Sequence, residues 1–234
     1  MLFHGLSDNR MGVIGYGEMF VNRGYSVLMA DARAHGASGG ELASYGLVEA
    51  NDIQRWFDWL RDHEHPGCIY GFGESMGAGQ LLQAVATEPG FCAVAAESSF
   101  STFREIAYDR IGQFFHTGPW LGRFALRPLV EVAFVYAKRK YKLDFEQVSS
   151  DLAIAASGVS VFLIHGERDS NIPVRHSRKI ALDDSSVTLW IIPGAEHCAA
   201  IRAAPREFEP RVIGWFEEHS AGNDRTGHRA MAAP

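Results

Sequence analysis

One stretch of the chain indicates both its fold and its chemistry: Gly71-Phe72-Gly73-Glu74-Ser75-Met76-Gly77-Ala78-Gly79. An apolar run precedes this stretch, and an Ala- and Leu-rich helical pattern follows it. The pattern Gly73-x-Ser75-x-Gly77 is typical of a sharp strand-to-helix turn that lifts a serine hydroxyl clear of a parallel sheet. Larger side chains two residues before or after the serine would clash in such a turn, which explains both glycines. We therefore predict that Ser75 is a nucleophile.

Short apolar runs alternate with amphipathic runs along the rest of the chain, a pattern that predicts an α/β fold with a mostly parallel central sheet flanked by helices. Most predicted strands are apolar throughout, as is typical of strands buried on both faces. The predicted strands are Leu2–Phe3, Ser26–Ala30, Cys68–Phe72, Ala93–Ala96, Val159–Ile164 and Thr188–Ile192. The predicted helices are Tyr16–Arg23, Leu47–Asp62, Met76–Thr87, Pro128–Tyr141, Val174–Leu182 and a proline-interrupted Ala199–His219.

Length, charge and cysteine content narrow the class of protein. The 234 residues fit one α/β domain, and the formal net charge of −6 argues against a nucleic-acid partner. Three cysteines without a C-x-x-C pair argue against a disulfide framework and favour a reducing, cytoplasmic location. The chain starts with Met1-Leu2-Phe3-His4-Gly5, which reads as the end of a strand. We therefore expect that upstream residues are missing, and an N-terminal anchor could be among them.

Residues 101–150 interrupt the alternation, because two strands of such a sheet need a much shorter connection. This segment holds ten of the 27 aromatic residues and carries eight Lys or Arg against five Asp or Glu. We predict a helical cap here, over a core formed by residues 1–100 and 151–220, with a disordered tail at 221–234. The basic end of the cap could contact a membrane surface. Its aromatic residues either line an apolar acyl pocket or simply pack the cap onto the core: Phe114, Phe115, Trp120, Phe124 and Phe134.

An acidic residue that could orient a catalytic histidine follows the predicted strand Val159–Ile164. We predict that Asp169, in His165-Gly166-Glu167-Arg168-Asp169, has this role. The alternative is an aspartate that merely starts a turn before Pro173. Glu167 and Glu97 are the rival carboxylates.

The predicted general base is His197, in the loop after the strand Thr188–Ile192. A histidine can take a proton from serine and return it to a leaving group near neutral pH. His197 is chosen by order, since Ser75, Asp169 and His197 follow the serine–acid–histidine sequence of this architecture. Each also lies just past the carboxyl end of a different predicted strand, where open α/β sheets place their sites. The rivals are His4, His35, His116, His165 and His176.

Two backbone amides are predicted to stabilise an oxyanion. One belongs to Met76, the residue after the nucleophile, and the other to Leu6, in the loop after the first strand. A further polar loop, Asp31-Ala32-Arg33-Ala34-His35-Gly36, we interpret as structural, with charge-assisted hydrogen bonds from Asp31 and Arg33. The alternative is substrate contact by His35 or Arg33.

These motifs together resemble the α/β-hydrolase superfamily, and within it the esterases and serine aminopeptidase-like hydrolases. The resemblance implies a parallel sheet, a triad of Ser75, Asp169 and His197, and a lid formed by residues 101–150. The chain departs from its relatives in lacking the strands that precede the His4-Gly5 loop, so we expect one sheet edge to be exposed. The motifs that carry the resemblance are His4-Gly5, Asp31-x-Arg33-x-His35-Gly36, Gly73-Glu74-Ser75-Met76-Gly77, Glu97-Ser98-Ser99-Phe100, His165-Gly166-x-x-Asp169 and Gly194-x-x-His197.

The sequence therefore favours hydrolysis of a small carboxylic ester through an acyl-enzyme, with no cofactor. A peptidase or amidase would use the same three residues but would need an acidic cluster to bind a free N-terminus. A catalytically silent member that binds a membrane surface or a partner protein is the hypothesis from a different class, and a metal-dependent hydrolase is a distant third. Neither the substrate nor the oligomeric state can be predicted from these motifs.

Overall fold

The computed structural model describes residues 1–116, 124–182 and 184–220. Five parallel strands form one sheet in the spatial order β1-β2-β3-β4-β5. The strands are β1 (Leu2–Phe3), β2 (Tyr70–Glu74), β3 (Ala93–Glu97), β4 (Val161–Gly166) and β5 (Val187–Ile192). The α/β-hydrolase fold predicted from the sequence is confirmed. The predicted disordered tail at 221–234 and the cap residue Trp120 lie outside the described residues.

Helices cover both faces of the sheet. Most begin and end within three residues of their predicted bounds, and the predicted C-terminal helix is split in two around Pro205. The helices are α1 (Ile14–Asn22), α2 (Glu49–Glu64), α3 (Met76–Thr87), α4 (Phe103–Phe114), α5 (Arg127–Tyr141), α6 (Ser150–Ser157), α7 (Arg175–Ile180), α8 (Ala200–Ala203) and α9 (Phe208–Glu218).

The predicted strand Ser26–Ala30 is wrong. This segment lies beside β1, but it makes one parallel bridge, between Met29 and Leu2, and one hydrogen bond from the Leu2 amide to the Leu28 carbonyl. The physical reason is the length of its neighbour. Since β1 has two residues, it offers too few backbone groups to form a ladder with the segment.

Alternate residues of the strands point to two separate apolar layers, as the period of a strand requires. On one face Val94, Val161 and Leu163 pack with helices α2, α3, α6 and α7. On the other face Phe72 and Phe162 pack with α1 and α9. Both faces of the sheet are therefore buried, which leaves the carboxyl ends of the strands as the open edge for a site.

Two helices of the cap segment, α4 and α5, pack against each other in opposite directions. The ring centroid of Phe103, at the start of α4, lies 5.8 Å from the ring centroid of Phe134, in the second half of α5. Arg127 at the start of α5 lies over the ring of Tyr108, further along α4. The helical content agrees with a cap, whereas its division from the core as a domain stays a prediction.

Cys68 and Cys92 form a disulfide, with Cα atoms 5.7 Å apart and a sequence separation of 24 residues. The cysteine count argued against a disulfide framework, and the structure has this single bridge. A chain with three cysteines can still form one bridge, and here the third cysteine, Cys198, is free. The bridge joins the segments that enter β2 and β3, so it closes a loop around the entire β2–α3 unit.

No helix in the described ranges is both long enough and apolar enough to cross a lipid bilayer.

Candidate active site

The turn between β2 and α3 holds Ser75 in a strained backbone conformation, with φ at +51°. The glycines on either side are required by space. A Cβ at Gly73 would lie 2.7 Å from the carbonyl of Gly77, and a Cβ at Gly77 would lie 2.4 Å from the carbonyl oxygen of Phe3. The Ser75 amide donates to the carbonyl of Glu97 at 2.9 Å, which ties the turn to the neighbouring strand. The predicted elbow is therefore formed, and it presents Ser75 at the carboxyl edge of the sheet.

Three loops bring Ser75, His197 and Asp169 into one hydrogen-bonded chain. His197 Nε2 lies 2.9 Å from Ser75 Oγ, and His197 Nδ1 lies 2.8 Å from Asp169 Oδ2. Because a carboxylate can only accept, Nδ1 carries the proton and Nε2 is free to accept the serine proton. The arrangement has the geometry of a nucleophile, its general base and an orienting acid.

The carboxylate of Asp169 is fully buried and accepts several hydrogen bonds. The amides of Asn171 and Ile172 donate to Oδ1 at 2.9 and 2.8 Å, and the ring of His165 lies 3.4 Å from Oδ2. Burial alone would raise the pKa of Asp169, but the hydrogen bonds from His165 and His197 outweigh it and hold the pKa well below its usual range. Asp169 is therefore ionised wherever His197 could act as a base.

The rival carboxylates lie elsewhere. Glu167 accepts a 3.3 Å hydrogen bond from the Gly194 amide at an exposed position. Glu97 is buried at the end of β3, where it accepts hydrogen bonds from Tyr16 Oη at 3.1 Å and from the Ala200 amide at 2.9 Å. Neither contacts the ring of His197 in the hydrogen-bond network of the described residues. Asp169 is thus the carboxylate that the fold brings to His197.

Glu97 nonetheless belongs to the site, because it fastens the loop that carries His197. The Ala200 amide is held by Glu97, and the Cys198 amide donates to Ser98 Oγ at 3.2 Å. The last residue of β3 and the residue that follows it therefore anchor the base loop, while the carbonyl of Glu97 anchors the Ser75 turn. Burial raises the pKa of Glu97. Sequence reasoning missed this role, since the partner Tyr16 lies 81 residues away along the chain.

A second carboxyl group, Glu74, precedes the nucleophile and lies beside Glu97 in the β2–β3 register. Burial, followed by the negative charge of Glu97, raises the pKa of Glu74 to about 7. Glu74 is therefore a mixture of neutral and charged forms near neutral pH, and it is a weaker partner for a cation than an ordinary carboxylate would be.

The predicted oxyanion donors flank Ser75. Met76 is the first residue of the twelve-residue helix α3, whose N-terminus favours developing negative charge. Leu6 follows Gly5, and a Cβ placed on Gly5 would lie 3.6 Å from the Cβ of Ser75. The loop of Leu6 thus approaches the nucleophile closely. The roles of the two amides stay predictions, as do the catalytic roles of the triad.

Two of the rival histidines are buried structural residues. His4 Nε2 accepts from the Ala32 amide at 3.0 Å, and His165 Nδ1 and Nε2 lie 2.6 and 2.7 Å from Ser177 Oγ and the Ile172 carbonyl. The contact between His165 Nε2 and the Ile172 carbonyl fixes the loop that starts at Asp169. His165 is therefore a support for the acid rather than a base.

A third rival, His176, belongs to a separate buried constellation that sequence reasoning missed. His176 Nε2 lies 3.0 Å from Asp109 Oδ2, and Nδ1 lies 3.1 Å from Ser101 Oγ. All three side chains are sealed from solvent, and Arg175 also pairs with Asp109. This group joins the cap helix α4 to α7. No local motif marks it, because its members are dispersed over 75 residues.

The polar loop that starts at Asp31 has the structural role predicted for it. Asp31 accepts hydrogen bonds from the amides of Arg10 and Ala37 at 2.7 and 2.8 Å, and Arg33 forms a two-pronged ion pair with Asp52. The hydrogen bond from Ala37, and then that from Arg10, hold the pKa of Asp31 below its usual value. His35 Nδ1 is engaged with the Arg33 carbonyl.

Known proteins resemble the chain in sequence over most of its length. A family model for X-Pro dipeptidyl-peptidases (S15 family) matches residues 4–128. The uncharacterized protein YqkD of Bacillus subtilis is 30% identical over 201 residues, which are 84% of this chain and 64% of that protein. The uncharacterized protein YfhR of Escherichia coli K12 is 27% identical over 183 residues, 76% of this chain and 55% of that protein. The chain thus spans less than two thirds of the length of these relatives.

Solved structures resemble the fold. The esterase Pf2001 of Pyrococcus furiosus superposes with a TM-score of 0.72 at 24% identity, covering 93% of this chain and 81% of that one. A monoacylglycerol lipase of Paleococcus ferrophilus superposes with a TM-score of 0.59 at 19% identity, covering 94% and 93% of the two chains. The parallel sheet flanked by helices agrees with both likenesses. Because the matching family model spans more than half of the chain and includes the Ser75 turn, the chain belongs to the X-Pro dipeptidyl-peptidase (S15) family of the α/β-hydrolase superfamily.

Proposed function

We propose that the chain is a serine hydrolase that cleaves carboxylic esters through an acyl-enzyme. The observation that carries the proposal is the unbroken hydrogen-bonded chain from Ser75 Oγ through His197 to Asp169. Such a chain activates a serine that would otherwise be a weak nucleophile.

In the proposed first half-reaction, His197 Nε2 takes the proton of Ser75 as Oγ attacks the ester carbonyl carbon. The carbonyl oxygen becomes an oxyanion, which the amides of Leu6 and Met76 stabilise. Asp169 keeps the imidazole in the reactive tautomer and stabilises its charged form. The bond to the alkoxy oxygen then breaks, and His197 gives its proton to the departing alcohol.

In the second half-reaction, His197 takes a proton from water, whose oxygen attacks the acyl carbon bonded to Ser75 Oγ. The tetrahedral intermediate collapses, the proton returns to Oγ, and a carboxylic acid leaves. All bonds are formed and broken with the chain's own groups and water, so the proposed reaction uses no cofactor.

A peptidase is the second candidate, and the family match is the observation that favours it. A peptidase that removes dipeptides must hold the free ammonium of its substrate. Glu97 is unsuited to this because it is buried and already bonded to Tyr16 and Ala200. Glu74 is nearer the open edge, but its pKa of about 7 leaves much of it neutral. Neither carboxyl group of this pair therefore offers a ready site for the substrate ammonium.

Labelling with a fluorophosphonate tests the proposal, because this probe reports an activated serine without requiring the substrate. We expect the wild-type chain and the matched control Ser101→Ala to be labelled, and Ser75→Ala to be unlabelled. A folded wild-type chain that takes no label would overturn the hydrolase proposal in favour of a silent binding module.

Paired substrates then separate the two hydrolase candidates. We expect turnover of p-nitrophenyl esters, with a chain-length optimum that reports the size of the acyl pocket. X-Pro p-nitroanilides should be cleaved more slowly. A preference for these anilides would reject the ester assignment and retain the triad.

A cytoplasmic location stays a prediction, and the Cys68–Cys92 disulfide is an observation against it, since structural disulfides persist mainly in oxidising compartments. The mass of the intact chain, isolated from its native cells with free thiols blocked, would show whether these cysteines are paired there.

A further inference from the structure

Exposed apolar side chains are concentrated in the cap. Half of the sixteen large hydrophobic residues that are exposed in the described ranges lie between Phe114 and Tyr141. Scattered hydrophobic residues need no explanation on a protein surface, but a contiguous group of them marks an interaction site.

Helix α5 carries an apolar stripe on its outer side. Val130 and Phe134 are its buried residues, and they pack towards α4 and the aromatic ring of Tyr108. On the opposite side the spacing of three and four residues aligns side chains that are each at least half exposed: Leu129, Val132, Val135 and Tyr136. The stripe therefore points away from the molecule.

Two more exposed aromatic residues lie at the C-terminal end of α4. The two helices run in opposite directions, so the C-terminal end of α4 lies near the N-terminal end of α5. Phe114 and Phe115 stand at that end of α4, and Phe114 is 75% exposed. We call these two residues and the stripe on α5 the cap face.

Positive charge flanks the cap face at the other end of α5. Arg139, Lys140 and Lys142 are exposed, and within the described residues neither Arg139 nor Lys142 forms an ion pair. Lys140 bonds to the hydroxyl of Tyr136. The chain as a whole carries a net charge of −6, so a local excess of cations beside an apolar face is distinctive. It would orient the molecule at an anionic surface.

We propose that the cap face docks on an anionic lipid bilayer, with the apolar stripe in the interfacial region and the three cations among the headgroups. A helix with apolar residues on one side and cations beside them is suited to lie in the plane of a membrane interface. A second copy of the chain fits less well. Two α5 helices facing each other in parallel would bring Arg139, Lys140 and Lys142 of both copies together.

Docking in this way would place the active site near the membrane. Helix α4 also contacts the loop of the catalytic acid: Gln113 Nε2 donates to the Ser170 carbonyl at 2.6 Å, and Arg110 bonds to the side chain of Asn171. The cap face and Asp169 therefore lie at the same end of the sheet. The docking proposal concerns binding alone and does not depend on the ester chemistry.

Flotation with lipid vesicles tests the proposal, using phosphatidylcholine alone or mixed with phosphatidylglycerol. We expect the wild-type chain to bind the mixed vesicles. The double substitution Val132→Asp/Val135→Asp should lower the partition coefficient on the order of tenfold or more. Arg139→Gln/Lys140→Gln should lower it about fivefold per charge, and only on anionic vesicles. The matched control is Leu152→Asp, an exposed leucine on α6 outside the cap face, which should bind as wild type does.

Circular dichroism and thermal unfolding serve as the folding control and should be unchanged in all of these variants, so the binding test holds whether or not the chain cleaves esters. The proposal is overturned if the folded wild-type chain binds neither kind of vesicle, or if Val132→Asp/Val135→Asp leaves binding unchanged. It is also overturned if sedimentation shows a dimer that the same double substitution dissociates, since a second copy would then occupy the cap face.

Discussion

In the described ranges of the chain, two serine–histidine–aspartate constellations lie at the carboxyl edge of one sheet, and one of the two has the features of an active site. In the first, His197 is partly exposed, bonds Asp169 through Nδ1 and faces Ser75 through Nε2. In the second, His176 is sealed, faces Ser101 through Nδ1 and bonds Asp109 through Nε2. The residue types are the same. What differs is access, backbone conformation and the neighbouring charges.

Three physical differences decide the contrast. Ser75 stands on a strained turn at the start of a helix, whereas the amide of Ser101 is itself bonded to His176 Nδ1. In the described part of the chain Asp169 forms ion pairs with two histidines, whereas Asp109 pairs with Arg175 as well as with His176. Burial lowers the pKa of His176, and a sealed histidine cannot receive a substrate. A triad is therefore defined by its surroundings as much as by its members.

Serine removal should separate the two constellations most strongly. We expect Ser75→Ala to lower kcat by roughly 10⁴- to 10⁶-fold, because nucleophile and base act as a unit. Ser101→Ala should keep kcat within about tenfold and lower the free energy of unfolding by roughly 1–3 kcal/mol, the cost of a buried hydrogen bond. Ester kinetics and urea unfolding on both variants measure this. Comparable kcat losses would contradict the distinction.

Replacing the aspartate of each constellation should give the next largest effect. Asp169→Asn is expected to lower kcat about 10⁴-fold by favouring the wrong tautomer of His197. Asp109→Asn should leave kcat within a few-fold but destabilise the fold by roughly 1–3 kcal/mol, since it weakens the charge-assisted hydrogen bonds of the buried carboxylate with His176 and Arg175. Circular dichroism melting curves would accompany the kinetics. If Asp109→Asn proves inactive while remaining stable, the second constellation is functional.

A smaller effect is expected at Glu97, which supports only the first constellation. Glu97→Ala should lower kcat roughly 10- to 100-fold, because the loop of His197 loses its anchor at the Ala200 amide. Glu97→Gln retains an acceptor for that amide, so it should restore most of the activity. The pH profile of kcat/KM distinguishes positioning from a general loss of stability, since a displaced His197 would shift the profile and partial unfolding would only scale it.

The smallest effect is a pH dependence of stability from the second constellation. The pKa of His176 is lowered in the folded state, so the unfolded chain binds its proton first as the pH falls. The stability that depends on neutral His176 is therefore complete above about pH 6.5 and is lost as the pH falls below that value. Urea unfolding at pH 7.5 and at pH 5.0 should show a larger loss of stability on acidification for wild type than for His176→Gln. His63→Gln, at an exposed histidine, should keep the wild-type slope.

The two constellations also show which parts of the site could be predicted from the sequence and which could not. Ser75, Asp169 and His197 each follow a strand at a recognisable turn, so strand order alone predicts their meeting. The elbow and the buried strands were predicted for the same reason. Ser101, Asp109 and His176 meet through the packing of the cap on α7, which no local pattern encodes. The anchor between Tyr16 and Glu97 is equally a product of tertiary packing.

The wrongly predicted strand and the unpredicted disulfide each have a physical cause. The segment Ser26–Ala30 has the composition of a strand but lies beside a two-residue neighbour, so composition could not predict its missing ladder. Cys68 and Cys92 are spaced too widely for a motif, and their pairing depends on β2 and β3 being adjacent.

The same disulfide has a consequence for engineering the chain. Ser75 lies inside the covalent ring that Cys68 and Cys92 close, and the ring also contains the exposed turn at Pro89 and Gly90. A cut at that turn would leave both fragments covalently joined. New chain ends for a circular permutant or a split reporter could therefore be opened at Gly90 without releasing the nucleophile from the rest of the molecule.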